Sequence, residues 1–261
     1  MDAWSDAITA FSDYQRSAGH SAETVKLTGK HLRRFAAHSG IPPWEVEPRH
    51  LAAFVASRTW APATRDSFRG RIRAFYRWAM LTGQVHLDPT RQLPGVKVPA
   101  QAPRPTPDDV LTTALAQIDD RTRLMVLLAA NAGLRRAEIA AVHTRDVSGG
   151  QLRVKGKGGK VRMVPIHPAI AEALAGVDAG FVFPGNDNGH LSPDRVGRII
   201  SGALGPGWTA HTLRHRFATK GYGASHDLFG LQQVLGHASP NTTRRYTATS
   251  EAAALAIVMA S

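Results

Sequence analysis

The 261-residue sequence contains no cysteine and no long apolar segment. Without cysteine, disulfides, a thiolate zinc site and a cysteine nucleophile are excluded. No run of about 18 or more uncharged apolar residues is present, and the N-terminus, MDAWSDAITA, carries acids where a signal peptide would carry Lys or Arg. We therefore expect a cytoplasmic protein with no membrane partner.

Motifs for metal and nucleotide chemistry are missing as well. The sequence has no HExxH helix, no compelling carboxylate cluster of the kind that two-metal nucleases use, and no P-loop. We therefore expect no metal, no other cofactor and no use of ATP.

Acidic residues are scarce relative to basic ones. The formal net charge is +12, because 32 Lys and Arg oppose 20 Asp and Glu. Residues 1–98 hold 14 basic and 8 acidic residues, and the remainder holds 18 and 12, so each part carries about half of the excess. Neutralising phosphates releases condensed counterions from nucleic acid, so a basic protein suits this partner. We expect both parts to contact nucleic acid as two jaws of a clamp; a basic surface without such a partner is the alternative.

Apolar spacing and turn residues predict four helices near the N-terminus, over residues 3–15, 21–40, 47–57 and 61–83. Pro48 and Pro62 suit a first helical turn. On the fourth helix arginine recurs every four residues, which predicts a basic stripe along one face, either solvated or facing DNA. The stripe consists of Arg65, Arg69, Arg73 and Arg77.

Six prolines between Asp88 and Pro107 predict an extended connector. Beyond it, helices are predicted over 106–118 and 120–133, the second almost wholly apolar and therefore buried. Two β-rich runs, 152–154 and 161–166, flank a Gly- and Lys-rich turn and predict a hairpin. Helices are then predicted to resume at Ser192 and Pro193, and the chain ends with the short apolar segment SEAAALAIVMAS. The fold class is mainly α with a small β-hairpin or sheet.

Three basic or titratable side chains share one predicted helix face in HTLRHR, because His211, Arg214 and His215 stand at i, i+3 and i+4. The face is either exposed or an anion site. In AGLRRAEIAAV, Arg135 follows the buried helix and Glu138 comes three residues later. An arginine fork matches two phosphate oxygens, and the glutamate either holds that fork or forms a plain surface ion pair.

Together these stretches resemble the tyrosine recombinases, also called phage integrases, across essentially the whole chain. The matching motifs are GLRRAEI, KGKGGKVRMVPI, HTLRHRFAT, LGHAS and NTTRRYT, in the family's order. The resemblance implies a four-helix, SAM-like, core-type DNA-binding domain over residues 1–90, a Pro-rich linker over 91–106, and an α+β catalytic domain with a C-terminal tail helix over 107–261.

The resemblance also implies the role of each site residue. Arg135 and Arg214 would grip the scissile phosphate, and Tyr246 would attack it, which leaves a 3′-phosphotyrosyl link and a free 5′ hydroxyl. The remaining roles would be hydrogen bonding or proton transfer by His211 and His237, protonation of the leaving oxygen by Lys157, and support by Glu138 and His215.

A phenol with a pKa of about 10 is a poor nucleophile unless positive charge favours the phenolate. Arg244 and Arg245 precede Tyr246 and are expected to supply such charge and to contact DNA. Two rival tyrosines remain: Tyr222, whose glycine neighbours suggest a turn and an early helix end, and Tyr76, which suits a helix core. Lys155 and Lys160 are the alternatives to Lys157 in the hairpin.

The implied partner is double-stranded DNA with core-type attachment sites. The resemblance further implies a homotetramer on two duplexes, with exchange of the C-terminal helices from Ser250 onward, in the nucleoid of a bacterial host. We expect an integrase that integrates or excises a phage or mobile element. The alternatives are a chromosome-dimer resolving recombinase, a type IB topoisomerase-like enzyme and a non-catalytic DNA-binding regulator.

Overall fold

The computed structural model of the chain describes residues 3–99 and 102–236, and of residue 157 the backbone alone. The chain divides into two compact units, Met1–Gln101 and Ala102–Ser261. The fold class predicted from the sequence is confirmed, because helices dominate both units and the extended segments form one small antiparallel sheet.

The N-terminal unit contains the four predicted helices, which pack around an aromatic core. They are α1 (Ala3–Ser17), α2 (Ala22–Ser39), α3 (Pro48–Ala56) and α4 (Pro62–Leu81). Phe35, Phe54, Phe68 and Phe75 are fully buried. Tyr76 is also fully buried, and its hydroxyl donates to the carbonyl oxygen of Pro43 at 3.0 Å. This confirms that Tyr76 belongs to the helix core.

The C-terminal unit is built around one buried helix, α6 (Asp120–Asn131), in which every residue from Leu124 to Ala130 is buried. The described helices around it are α5 (Asp108–Gln117), α7 (Arg136–Ala140), α8 (Pro168–Leu174), α9 (Pro193–Leu204), α10 (Ala210–Ser225) and α11 (Leu228–Leu235). The apolar stretch that the sequence assigned to a buried helix is therefore the centre of this unit.

The sheet has the order β1-β2-β3, with β1 (Val147–Ser148), β2 (Gln151–Lys155) and β3 (Val161–Pro165) antiparallel. The register pairs Lys155 with Val161 at the turn end and Gln151 with Pro165 at the other. This is the predicted hairpin, lengthened by one short strand. A further strand, β4 (Pro184–Asp187), makes isolated bridges with His190.

Three helical features differ from the sequence prediction. The helices α8 and α11 were not predicted, because they have only seven and eight residues and so are shorter than the windows of about 11–18 residues over which apolar periodicity is read. In addition, α10 extends to Ser225 and contains Tyr222, which was expected in a turn. Tyr222, like Phe217, packs instead against the small cluster of Ala218, Leu231 and Leu235.

Parts of the predicted linker pack onto the two units. Leu93 is buried in the core of the N-terminal unit. In the C-terminal unit Thr106 is buried, and its hydroxyl lies 2.8 Å from that of Thr212. Prolines break helices but do not prevent such packing, so the segment is less free than its composition suggests.

Candidate active site

Arg135 lies where α6 passes into α7, and the local backbone explains its position. Gly133 has a φ of +62°, which glycine adopts without strain, and Leu134 is fully buried. The chain therefore turns sharply and presents Arg135 just before the first turn of α7. Its side chain keeps 37% of its surface exposed. This partial exposure lets the guanidinium meet a ligand.

Arg214 approaches the same place from the second turn of α10 and is buried, with 3% of its side chain exposed. Thr209 caps the helix by accepting a hydrogen bond from the N–H of Thr212, which sets where α10 begins. The guanidinium of Arg214 donates to the carbonyl oxygen of Gly133 and, at 2.6 Å, to that of Leu235. These carbonyls compensate part of the cost of burying the cation.

The two arginines meet at the C-terminal end of α11. The carbonyl oxygen of Leu235 accepts from Arg135 Nη1 at 3.3 Å as well as from Arg214 Nη2. Arg135 Nη2 also donates to the carbonyl oxygen of Gly236 at 3.3 Å. The last carbonyls of a helix lack intrahelical partners and carry partial negative charge, so they suit cations. Two arginines that lie far apart in the sequence are thereby held side by side.

Glu138 is the acidic centre of this group and is buried, with 4% of its side chain exposed. It accepts hydrogen bonds from the Arg135 N–H at 2.9 Å and from Arg135 Nη1 at 2.9 Å. Arg214 Nη1 lies 4.0 Å from its Oε2. Of the two interpretations that the sequence allowed, the structure therefore shows a buried network rather than an exposed surface ion pair.

Arg162 completes the network, although its motif, KGKGGKVRMVPI, predicts only lysines as candidates. Its Nη1 and Nη2 donate to the two carboxylate oxygens of Glu138 at 2.9 and 2.8 Å. Its Nε donates to the carbonyl oxygen of Val234 at 2.7 Å. Alternation along β3 was the available signal, because Arg162 shares a strand face with the buried Val164.

The pKa of Glu138 reflects this arrangement. Burial alone would raise it. The hydrogen bonds from Arg162 and from the Arg135 N–H, together with the two positive charges, outweigh burial and hold the pKa below its usual value. The carboxylate therefore stays ionised and can hold the arginine forks in place.

His211 and His215 lie one turn apart on α10, with ring centroids 4.2 Å apart. His211 is exposed, whereas His215 is buried. The backbone N–H of Arg104 donates to His215 Nδ1 at 3.1 Å. In a neutral ring this bond places the proton on Nε2. The helix face predicted from HTLRHR is therefore divided, with His211 toward solvent and Arg214 and His215 inside.

The hairpin turn holds the candidate lysines. Its backbone crosses Gly158 and Gly159, both with φ of +75°, and the Gly156 N–H donates to the carbonyl oxygen of Lys160 at 2.7 Å. Lys157 stands at the first position of this turn. Lys155 and Lys160 are exposed at its two ends.

Four predicted site residues lie outside the described residues: His237, Arg244, Arg245 and Tyr246. The described part ends at Gly236, directly before His237. The structure thus brings together Arg135, Arg214 and Glu138 and adds Arg162. Of the two rival tyrosines, Tyr76 has a pKa raised by burial and, to a lesser degree, by the charge of Asp88.

The basic stripe on α4 is less regular than predicted. A spacing of four residues advances each arginine by about 40° around a helix of 3.6 residues per turn, so the four do not share one face. Arg65 and Arg77 are exposed, whereas Arg69 and Arg73 are half-buried. Arg69 Nη2 donates to the carbonyl oxygen of Leu93 at 3.5 Å. Arg65 and Arg77 are therefore the members best placed to meet a partner.

Metal and membrane features are absent from the part of the chain that the structure describes. No group of three or more His, Asp or Glu side chains could hold a metal ion there. Over the same ranges, no helix combines the length and the apolar character needed to cross a membrane.

Comparison with known proteins identifies relatives of the chain. Residues 107–253 match the phage integrase family. Tyrosine recombinase XerC of Rhodospirillum centenum is 33% identical over 89% of this chain and 79% of the relative. Tyrosine recombinase XerD of Caulobacter vibrioides is 30% identical over 94% of this chain and 92% of the relative. Among solved structures, a lambda integrase tetramer bound to a Holliday junction matches 90% of this chain and 77% of that chain, with a TM-score of 0.71 and 20% identity.

Proposed function

The chain belongs to the phage integrase family of tyrosine recombinases, and on this premise we propose that it cleaves and rejoins DNA through a phosphotyrosine formed by Tyr246. As a member of this family it is a site-specific DNA recombinase. One observation supports the proposed site above the others: Arg135 and Arg214 donate to the same carbonyl oxygen of Leu235. Their guanidiniums therefore lie close enough to bind one phosphate together.

In the proposed reaction the Tyr246 oxygen attacks phosphorus, the bond to the 5′ oxygen breaks, and Lys157 donates the proton that the 5′ oxygen needs. Charge grows on the non-bridging oxygens in the transition state, and guanidiniums that are already in place stabilise it without reorganisation. His211 and His237 hydrogen-bond these oxygens or move protons. Attack of the freed 5′ hydroxyl on the phosphotyrosine reverses the step, so the bond energy is conserved and ATP is not needed.

Arg135 is suited to phosphate binding because its guanidinium is held by the protein and yet is partly exposed. Glu138 and the end of α11 hold its guanidinium, while its side chain remains 37% exposed. Arg214 is buried and donates to the same Leu235 carbonyl oxygen. Two fixed guanidiniums, of which that of Arg135 is partly exposed, bind phosphate with little loss of side-chain freedom.

Two biological roles are open to a recombinase of this family: integration or excision of a mobile element, and resolution of chromosome dimers. From the sequence, integration or excision of a mobile element is the first expectation, and resolution of chromosome dimers is the close alternative. The two relatives described above are named XerC and XerD, and these names favour the second role. The similar lambda integrase is a tetramer on a Holliday junction, and we propose the same assembly here, with exchange of residues 250–261 between protomers.

The test starts in cells of the source organism. DNA that becomes covalently attached to the native chain is isolated and sequenced. A single chromosomal locus supports dimer resolution, whereas the ends of a mobile element support integration. Each candidate sequence then defines the recombination site for work with purified protein.

A nicked duplex with this recombination site is incubated with protein in EDTA and analysed by denaturing electrophoresis. The native chain is expected to give a covalent adduct, and Tyr246→Phe none, with DNA binding retained. An adduct in the Tyr246→Phe variant would assign the nucleophile elsewhere, and a strict requirement for magnesium would reject the mechanism. Relaxation of supercoiled DNA without selectivity for the site would favour a topoisomerase.

A further inference from the structure

We infer that Arg162 is a positioning residue for DNA cleavage, which aligns the phosphate-binding arginines. The inference rests on the proposed function. Each N–H-bearing atom of its guanidinium contacts a different acceptor: Nη1 and Nη2 bind the two oxygens of Glu138, and Nε binds the carbonyl oxygen of Val234. With these contacts Arg162 is committed to the protein rather than to a phosphate.

The first connection runs through Glu138 to Arg135. Arg162 donates to both carboxylate oxygens at 2.8–2.9 Å, and Glu138 in turn accepts from the backbone and side chain of Arg135. A carboxylate held at both oxygens cannot rotate without breaking charge-assisted bonds. The orientation of the Arg135 fork therefore depends on Arg162.

The second connection runs to the end of α11. Three successive carbonyl oxygens accept from arginines: Val234 from Arg162, Leu235 from Arg135 and Arg214, and Gly236 from Arg135. Arg162 therefore helps to fix the helix end to which Arg135 and Arg214 also donate.

The surroundings leave little room for another arrangement. Arg162 is 11% exposed. Gly236 adopts a φ of +62°, and a Cβ there would lie 3.1 Å from Arg162 Cδ and Nη1. The guanidinium thus packs directly against the helix end that it binds. Because Arg162 belongs to β3, the strand that follows the Lys157 turn, one side chain joins the hairpin, the Arg135 turn and α11.

Two substitutions test this role. Arg162→Lys keeps the charge but loses the fork, and Arg162→Met loses both. Arg153→Lys on the same hairpin is the matched control, because Arg153 is exposed and pairs with Asp146 at 3.3 Å. We measure the rate of single-turnover cleavage of the nicked duplex with the recombination site, and the dissociation constant of each variant for this duplex. Thermal unfolding checks that each variant is folded.

We expect cleavage to slow by about 100-fold for Arg162→Met, the scale of a misplacement of about 1 Å, and by about 10-fold for Arg162→Lys. The affinity for DNA is expected to change by less than about threefold, since phosphate contacts along the duplex supply most of it. Arg153→Lys is expected to have the cleavage rate and the DNA affinity of the native chain. If Arg162→Met does not fold, the cleavage rate of Arg162→Lys tests the inference, measured at a temperature at which that variant is folded.

A second substrate separates positioning from a general weakening of the fold. A methylphosphonate at the scissile position removes one negative charge, so correct placement of the guanidiniums matters less. The defect of the Arg162 variants relative to the native chain is expected to shrink to within about threefold on this substrate. A defect of equal size on both substrates, or native cleavage rates in both variants, would overturn the inference. Absence of an adduct with the native chain would instead count against the proposed function.

Discussion

Arg214 Nη2 donates a hydrogen bond of 2.6 Å to the carbonyl oxygen of Leu235 and so joins the second turn of α10 to the last turn of α11. The helix end that receives this cation also receives Arg135. The pair of arginines that we propose to bind phosphate is thus assembled on backbone carbonyls, whose positions depend on the fold rather than on flexible side chains. This relationship leads to predictions about both chemistry and stability.

Arg214→Lys is expected to slow single-turnover cleavage by about 100-fold or more, the usual cost of removing one transition-state donor. A lysine keeps the charge but cannot donate to two acceptors in the planar arrangement of a guanidinium. Arg216→Lys is the control, because Arg216 lies on the same helix and pairs with Asp108. Equal cleavage rates in the two variants would contradict the assignment of Arg214.

Gly133→Ala is expected to destabilise the C-terminal unit more than Gly149→Ala. Both glycines have positive φ, +62° and +56°, so both substitutions carry a backbone cost of about 1–2 kcal/mol. Only at Gly133 would the new Cβ lie 2.5 Å from Phe217 Cδ1. Urea unfolding should show the larger loss in free energy of unfolding for Gly133→Ala. Equal losses would mean that the Phe217 ring moves away from the new Cβ at no cost in stability.

Glu138→Gln is expected to lower the free energy of unfolding by about 3 kcal/mol at pH 7, because buried arginines lose their counter-charge. The folded pKa of Glu138 lies below its unfolded value, so its stabilising contribution is fully present above about pH 4.3 and is lost as the pH falls through the folded pKa. Urea unfolding from pH 7 to pH 3 should show the native and variant curves converging in acid.

The matched control for Glu138→Gln is Asp120→Asn, since this exposed carboxylate lies 3.8 Å from Arg123. Surface ion pairs contribute little, so its stability should stay near that of the native chain at each pH. A gap between Glu138→Gln and the native chain that does not change with pH would contradict the account of the Glu138 pKa.

Tyr76→Phe is expected to reduce stability by about 1–2 kcal/mol and to leave adduct formation intact. The buried hydroxyl donates to the Pro43 carbonyl, which would lose its partner. Tyr222→Phe should change neither property strongly, because Tyr222 is only half-buried on α10. Loss of the adduct in either variant, measured on the nicked duplex, would reopen the choice of nucleophile.

Arg65→Ala and Arg77→Ala are each expected to reduce the slope of log K against log salt by about one, if each side chain binds a phosphate. Both are exposed on α4. Arg16→Ala is the control, because Arg16 is engaged by Asp13 on α1. Binding isotherms at several salt concentrations measure the slopes, and unchanged slopes for Arg65 and Arg77 would remove them from the DNA interface.

Local sequence determined most of the fold. The four N-terminal helices, the buried α6 and the β2–β3 hairpin follow from apolar spacing, prolines near helix starts and glycines in the turn, because these signals act between residues that are close in the chain. Short elements such as α8 and α11 were not predicted, since seven or eight residues are fewer than an apolar period needs to be recognised. Residue type and motif order were also enough to identify Arg135, Glu138 and Arg214 as candidates.

The tertiary structure alone decided how those candidates are held. Nothing in the sequence pairs Arg162 with Glu138, or directs Arg135 and Arg214 to the Leu235 carbonyl, because these contacts join segments that meet only after the chain has folded. Only the folded structure shows that Glu138 is buried in a network rather than exposed in a surface ion pair. Its pKa depends on solvent exclusion and on charges that other segments supply. Residue types and order are local information, whereas distance, exposure and electrostatics arise from packing.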